Sequence, residues 1–177
     1  MTLQIKHSIA GLLGISGIAL SSLVPGGPIE TRSFAHINPI TLGTFNTFLT
    51  TLALGSLLLI YFVLKSERWA MFAAAVCGLS YLGVYGLDLA QIFPVSPDAM
   101  PLALLVIEVL GTILSFPLMV LSVRAMQGYQ QRRFADAPFL HTDNLPLFQI
   151  PQIIIAIVLG IIALGIIAFA TYSAMGL

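Results

Sequence analysis

Five apolar runs, at residues 7–24, 42–64, 69–93, 102–123 and 153–174, take up most of the chain and leave little polar sequence to cover a water-exposed surface. Crossing about 30 Å of hydrocarbon takes roughly twenty apolar residues at about 1.5 Å of rise each. Each run meets or approaches that length. The expected fold is therefore all-α: an integral membrane bundle of five transmembrane helices forming one domain over residues 1–177.

The composition agrees. Hydrophobic residues make up 58% of the chain and charged residues 8%, where a soluble domain averages about a quarter charged. Seven basic residues balance seven acidic ones, so no net charge points to nucleic acid or to an acidic substrate. Cys77, the single cysteine, lies within an apolar run and reads as a packing residue. The first run, flanked by Lys6 and His7 before it and by Ser21, Ser22 and Pro25 at its end, is similar to a secretory signal. It is expected here as a retained first helix. Its Ser8, Gly11, Gly14 and Gly17 recur every three residues and predict a smooth strip for close helix packing.

Polar residues inside the runs carry the functional reading. Asp88 lies in the third run and Glu108 in the fourth, and the short turn between the runs makes them antiparallel neighbours. Both acids are expected roughly 8 to 10 Å below the same membrane boundary. Tyr81 and Tyr85 share a face with Asp88, and Thr112 and Ser115 share one with Glu108. In the second run Gly43, Asn46, Thr47 and Thr50 form a polar stripe at a comparable depth. Asn46 has a whole amide to satisfy and is expected to face protein or water. Ser66 is expected to cap the third helix, Gly78, Gly83 and Gly86 to permit close contact along it, and Pro117 to kink the fourth.

A charged acid at the bilayer centre costs about 2.5 to 3.5 kcal/mol unless it is protonated, paired or wet. The three stripes are therefore expected to face one another around a small polar cavity, with a shared proton between the two acids, and with Arg32 or a bound cation as counter-charge. The loop that carries Glu30, Arg32 and His36 connects the first two runs. Expected ligand-binding residues are Asp88, Glu108, Asn46, Thr50, Tyr85 and Arg32.

Basic residues set the orientation. With the N-terminus cytoplasmic, Lys6, Lys65, Arg68, Arg124, Arg132 and Arg133 fall inside and Arg32 alone falls outside. That places the C-terminus, the cavity, His36 and Asp98 on the extracytoplasmic side of a plasma membrane. Arg132 and Arg133 read as topology determinants or contacts to anionic headgroups.

Several chemistries lack their parts. His7, His36 and His141 all fall in or beside loops, which excludes a bis-histidine haem. No HExxH, CxxC, phosphate-cradling glycine loop or GxSxG occurs, and no catalytic residue or cofactor is assigned. Three functions stay open. The leading one is an accessory or assembly subunit of a larger membrane complex, partnered by lipid and by other membrane chains or its own copies. The second is a small oligomeric transporter or channel that binds a proton, a cation or a small polar ligand at Asp88 and Glu108; the tyrosine rings would suit an organic cation. The third is a membrane-embedded enzyme that uses the same acids.

Overall fold

The computed structural model describes residues 3–25, 27–135 and 150–175, with side chains described over 4–25, 27–128 and 161–175. Five helices form it, with no strand among the described residues: α1 (Leu3–Ser22), α2 (Pro39–Leu64), α3 (Arg68–Leu89), α4 (Leu102–Ala135) and α5 (Ile150–Ala174). Three of them contain stretches long and apolar enough to cross a membrane, namely Pro39–Leu64, Arg68–Leu89 and Leu102–Gly128. Many of their large apolar side chains, among them Phe72, Leu79, Leu110 and Ile113, are exposed on the helix surfaces. Length, composition and that outward greasiness together indicate association with a membrane.

The helices pack through repeats read directly from the sequence. On α3 the buried positions Ala74, Gly78, Tyr81, Tyr85 and Asp88 recur at three- and four-residue steps. On α4 Leu104, Glu108, Gly111, Ser115, Leu118 and Ser122 do the same, so each helix turns one continuous strip toward the other. Glycine brings the pair close at two places. A Cβ on Gly78 would stand 3.1 Å from the Met119 amide nitrogen, and one on Gly111 would overlap the Tyr85 ring, 2.7 Å from its Cζ. Gly83 and Gly86, by contrast, face open space. In α1 only the far half of the expected glycine strip is used. Gly14 meets Ile60 and Gly17 meets Ala53 and Leu57 of α2, whereas Gly11 touches nothing. A three-residue step lags the 3.6-residue turn, so the strip winds off the interface.

α1 packs on α2 and α4, and more lightly on α3; α2 bridges α3 and α5. Among the described residues α2 is the one helix that α5 packs on. Asn38 opens α2 by accepting the Ile40 amide on its side chain, followed by Pro39 in the first turn. Ser66 does not cap α3. It adopts φ 64° and closes α2 instead, with its amide donating to the Val63 carbonyl and the Glu67 amide donating to the Phe62 carbonyl. Glu67 is the residue before α3 and makes no side-chain cap bond. α3 ends in the same way four residues short of the expected boundary. Gln91 has φ 54°, its amide donates to the Asp88 carbonyl, and the Ile92 amide donates to that of Leu87. Pro117 lies within the continuous α4. The side chains of Arg132 and Arg133 lie outside those described, and His141 lies outside the described residues.

Candidate functional site

The loop between α1 and α2 does not stay in solvent. Near residue 30 it folds back over the end of the bundle, and three bonds hold it there. The Ser33 amide donates to Asp98 Oδ2 at 2.8 Å, Ser96 Oγ donates to the Ser33 carbonyl at 3.0 Å, and the Phe34 amide donates to the Ala174 carbonyl at 2.9 Å. The loop is thereby tied to the α3–α4 turn on one side and to the end of α5 on the other. Phe34, 2% exposed, packs with Leu42 and Ala174.

This strap delivers Glu30 and Arg32 into the bundle, where they are 4% and 6% exposed. Arg32 forks between two acids. Its Nη1 donates to Asp88 Oδ1 at 3.0 Å and its Nη2 to Asp88 Oδ2 at 2.7 Å, a two-point match of planar guanidinium to planar carboxylate. Nη2 also donates to Glu30 Oε2 at 2.6 Å and Nε to Glu30 Oε1 at 3.0 Å. The Phe34 ring lies 5.3 Å from the guanidinium carbon, on a further side of the cation. Burial works against the charge on Arg32. The hydrogen bonds from Arg32 to Glu30 and Asp88, and the charges of those two acids, outweigh it and raise the guanidinium above its ordinary pKa, so the cation is permanent.

Glu108 approaches the same place from α4. It is 2% exposed, and its Oε2 has no hydrogen-bond partner. Tyr85, 1% exposed, stacks on Tyr81 with ring centroids 6.1 Å apart, and its hydroxyl likewise has no partner. The Tyr81 hydroxyl does have one, donating to Ser56 Oγ at 2.9 Å. A cavity of about 40 Å³ lies between these groups, with Glu30, Asn46, Tyr85, Asp88 and Glu108 in its wall. Thr112 and Ser115 take no part, since their hydroxyls donate to the carbonyls one turn back on α4.

Four of the six expected ligand residues therefore meet around one cavity or line it: Asp88, Glu108, Asn46 and Tyr85. Arg32 joins through its bonds to Asp88, and so is buried in the bundle rather than displayed on the outer surface. Thr50 is buried at 7% exposure, but it lines a separate, larger groove of about 380 Å³ between α1, α2 and α5. Asn46 borders both spaces and donates from Nδ2 to Thr171 Oγ1 of α5 at 3.2 Å. His36 is exposed.

Glu30 is the member that the sequence pattern did not single out. Its signal was the alternation Glu30-Thr31-Arg32, which puts both charges on one side of an extended segment. No group of three or more His, Cys, Asp or Glu among the described residues is arranged to hold a metal ion.

The fold and the cluster define a helical, membrane-associated protein with a buried ion network at one end. Residues 5–137 match a family described as a domain of unknown function (DUF8051), and the chain belongs to that family. The matched segment includes Glu30, Arg32, Asp88 and Glu108 and ends ahead of α5. No curated protein matches the chain, and no solved structure does.

Proposed function

We propose that this chain is a five-span protein of the plasma membrane, N-terminus in the cytoplasm, that serves as an accessory or assembly subunit of a larger membrane complex. The observation that carries the reading is the lone attachment of α5. Among the described residues α2 is the one helix it packs on, with Phe34 of the loop meeting its end at Ala174, and its Ile161, Leu164, Phe169 and Tyr172 remain exposed. Beside it runs the 380 Å³ groove, whose wall is overwhelmingly apolar. A helix held along one side, next to an apolar groove, offers the surface that another membrane helix packs against.

The polar end speaks against handling an organic solute. Ligand pockets of that kind run to about 300–1,000 Å³, well above the 40 Å³ beside Glu108. Arg32 is committed to Glu30 and Asp88 and has no geometry to spare for a substrate carboxylate. The basic residues support the orientation: Lys6, Lys65, Arg68 and Arg124 gather at the end opposite the Arg32 cluster, the distribution expected of a cytoplasmic face.

Native mass spectrometry of the tagged chain, extracted from its own membrane in mild detergent, tests this reading. Other membrane chains are expected at fixed stoichiometry, and their loss is expected when Gly165→Trp fills the groove. A wild-type chain that emerges alone would overturn it.

A further inference from the structure

The geometry points to a proton-binding site in the cavity beneath the loop, with Glu108 carrying the exchangeable proton. This goes beyond the accessory-subunit reading and does not depend on it.

Three buried carboxyls, Glu30, Asp88 and Glu108, line one small space, and one guanidinium serves them. Arg32 neutralises one negative charge, and its Nε, Nη1 and Nη2 already donate to Glu30 and Asp88. Asp88 is held at both oxygens by Arg32, and so is Glu30. Glu108 receives nothing from it. The remaining basic residues with described side chains sit at the far end of the helices; Lys65 lies a 26-residue helix away from Asn38, about 39 Å at the standard rise.

Two atoms then point to what fills the gap. Glu108 Oε2 and the Tyr85 hydroxyl are both buried without a partner, and both residues border the same cavity. An unpaired ionised carboxylate in such surroundings is far more costly than a protonated one. A protonated Glu108 becomes a hydrogen-bond donor. The Tyr85 hydroxyl can donate and accept, and 40 Å³ admits a water-sized bridge and nothing as large as an organic ligand. The acids do not converge as a metal site would require, which makes the proton the favoured occupant over a metal cation.

The groups facing Glu108 are Asp88 and Tyr85 from α3 and Glu30 with its partner Arg32 from the loop. α1 and α2 contribute Leu20, Leu49 and Asn46, none of which titrates. The strap of residues 30–34, bonded to Ser96, Asp98 and Ala174 and through Arg32 to Asp88, lies between this cavity and the end of the bundle.

Dicyclohexylcarbodiimide provides the test, because it enters membranes and reacts with protonated carboxyls. The acid's proton passes to a carbodiimide nitrogen and the carboxyl oxygen adds to the central carbon. The adduct then rearranges to a stable N-acylurea on the side chain. The full chain is reconstituted in vesicles of phosphatidylethanolamine and phosphatidylglycerol, labelled across a pH series, and read by peptide mass spectrometry.

The expected result is an adduct on Glu108 that fades as pH rises, is lost in Glu108→Gln, and is unchanged when sodium or potassium replaces choline. Infrared spectra of the same vesicles should show a protonated-carboxyl band that disappears in Glu108→Gln, and this band supports the site even where the reagent fails to reach it. The proposal falls if both adduct and band are missing at every pH, or if the band persists in Glu108→Gln. Protection of Glu108 by sodium or potassium would also overturn it, in favour of a metal cation.

Discussion

The two ends of the bundle treat positive charge in opposite ways. At one end a single arginine is buried between two acids, beneath a loop tied down on both sides. At the other, Lys6 donates to the Leu64 carbonyl at the end of α2, Lys65 lies over the Tyr61 ring, and Arg68 and Arg124 are exposed. What separates them is whether the backbone brings the charge back into the protein. An exposed cation keeps its water and contributes little to stability. One that has been desolvated must be matched almost atom for atom.

Arg32→Met tests the contrast most severely. Removing the guanidinium leaves Glu30 and Asp88 buried without their partner, which should cost about 3–5 kcal/mol. Thermal unfolding in detergent micelles should show a sharply lowered midpoint, and an unchanged midpoint would erase the distinction between the ends.

Gly111→Ala comes next. Its new methyl group meets the Tyr85 ring beside the cluster, and an overpacked contact of this kind costs about 1–3 kcal/mol. The same melting experiment measures it, and ring displacement should appear as altered tyrosine near-UV circular dichroism.

Lys6→Met should matter least. Losing one bond to a helix-end carbonyl at the solvated end should lower stability by less than about 1 kcal/mol. A loss as large as that of Arg32→Met would show that both ends depend on fixed ion contacts.

How much of this was legible beforehand differs by residue. Asp88 and Glu108 were expected to face inward because lipid penalises a lone acid, and helical spacing then carried Tyr81 and Tyr85 to the same side. Arg32 was a candidate counter-charge for the same reason, although its depth was not foreseen. Glu30 was missed because a polar loop reads as solvated. The contacts that fold it inward, to Asp98, Ser96 and Ala174, come from residues more than sixty positions away in sequence. Thr50 shares a face with Asn46 but lies one turn farther along α2, and that single turn moves it from the acid cavity to the apolar groove. Ser66 was misread because serine suits a helix start, whereas here the three-residue junction puts it in the left-handed turn that ends α2.

The bond from the Phe34 amide to the Ala174 carbonyl sets an order of events during synthesis. Phe34 has to wait for a residue 140 positions later in the chain. Until α5 has emerged and settled against α2, that anchor for the strap does not exist, and Arg32 lacks part of what holds it over Asp88. A chain arrested after α4 would carry all three acids and their arginine without that anchor.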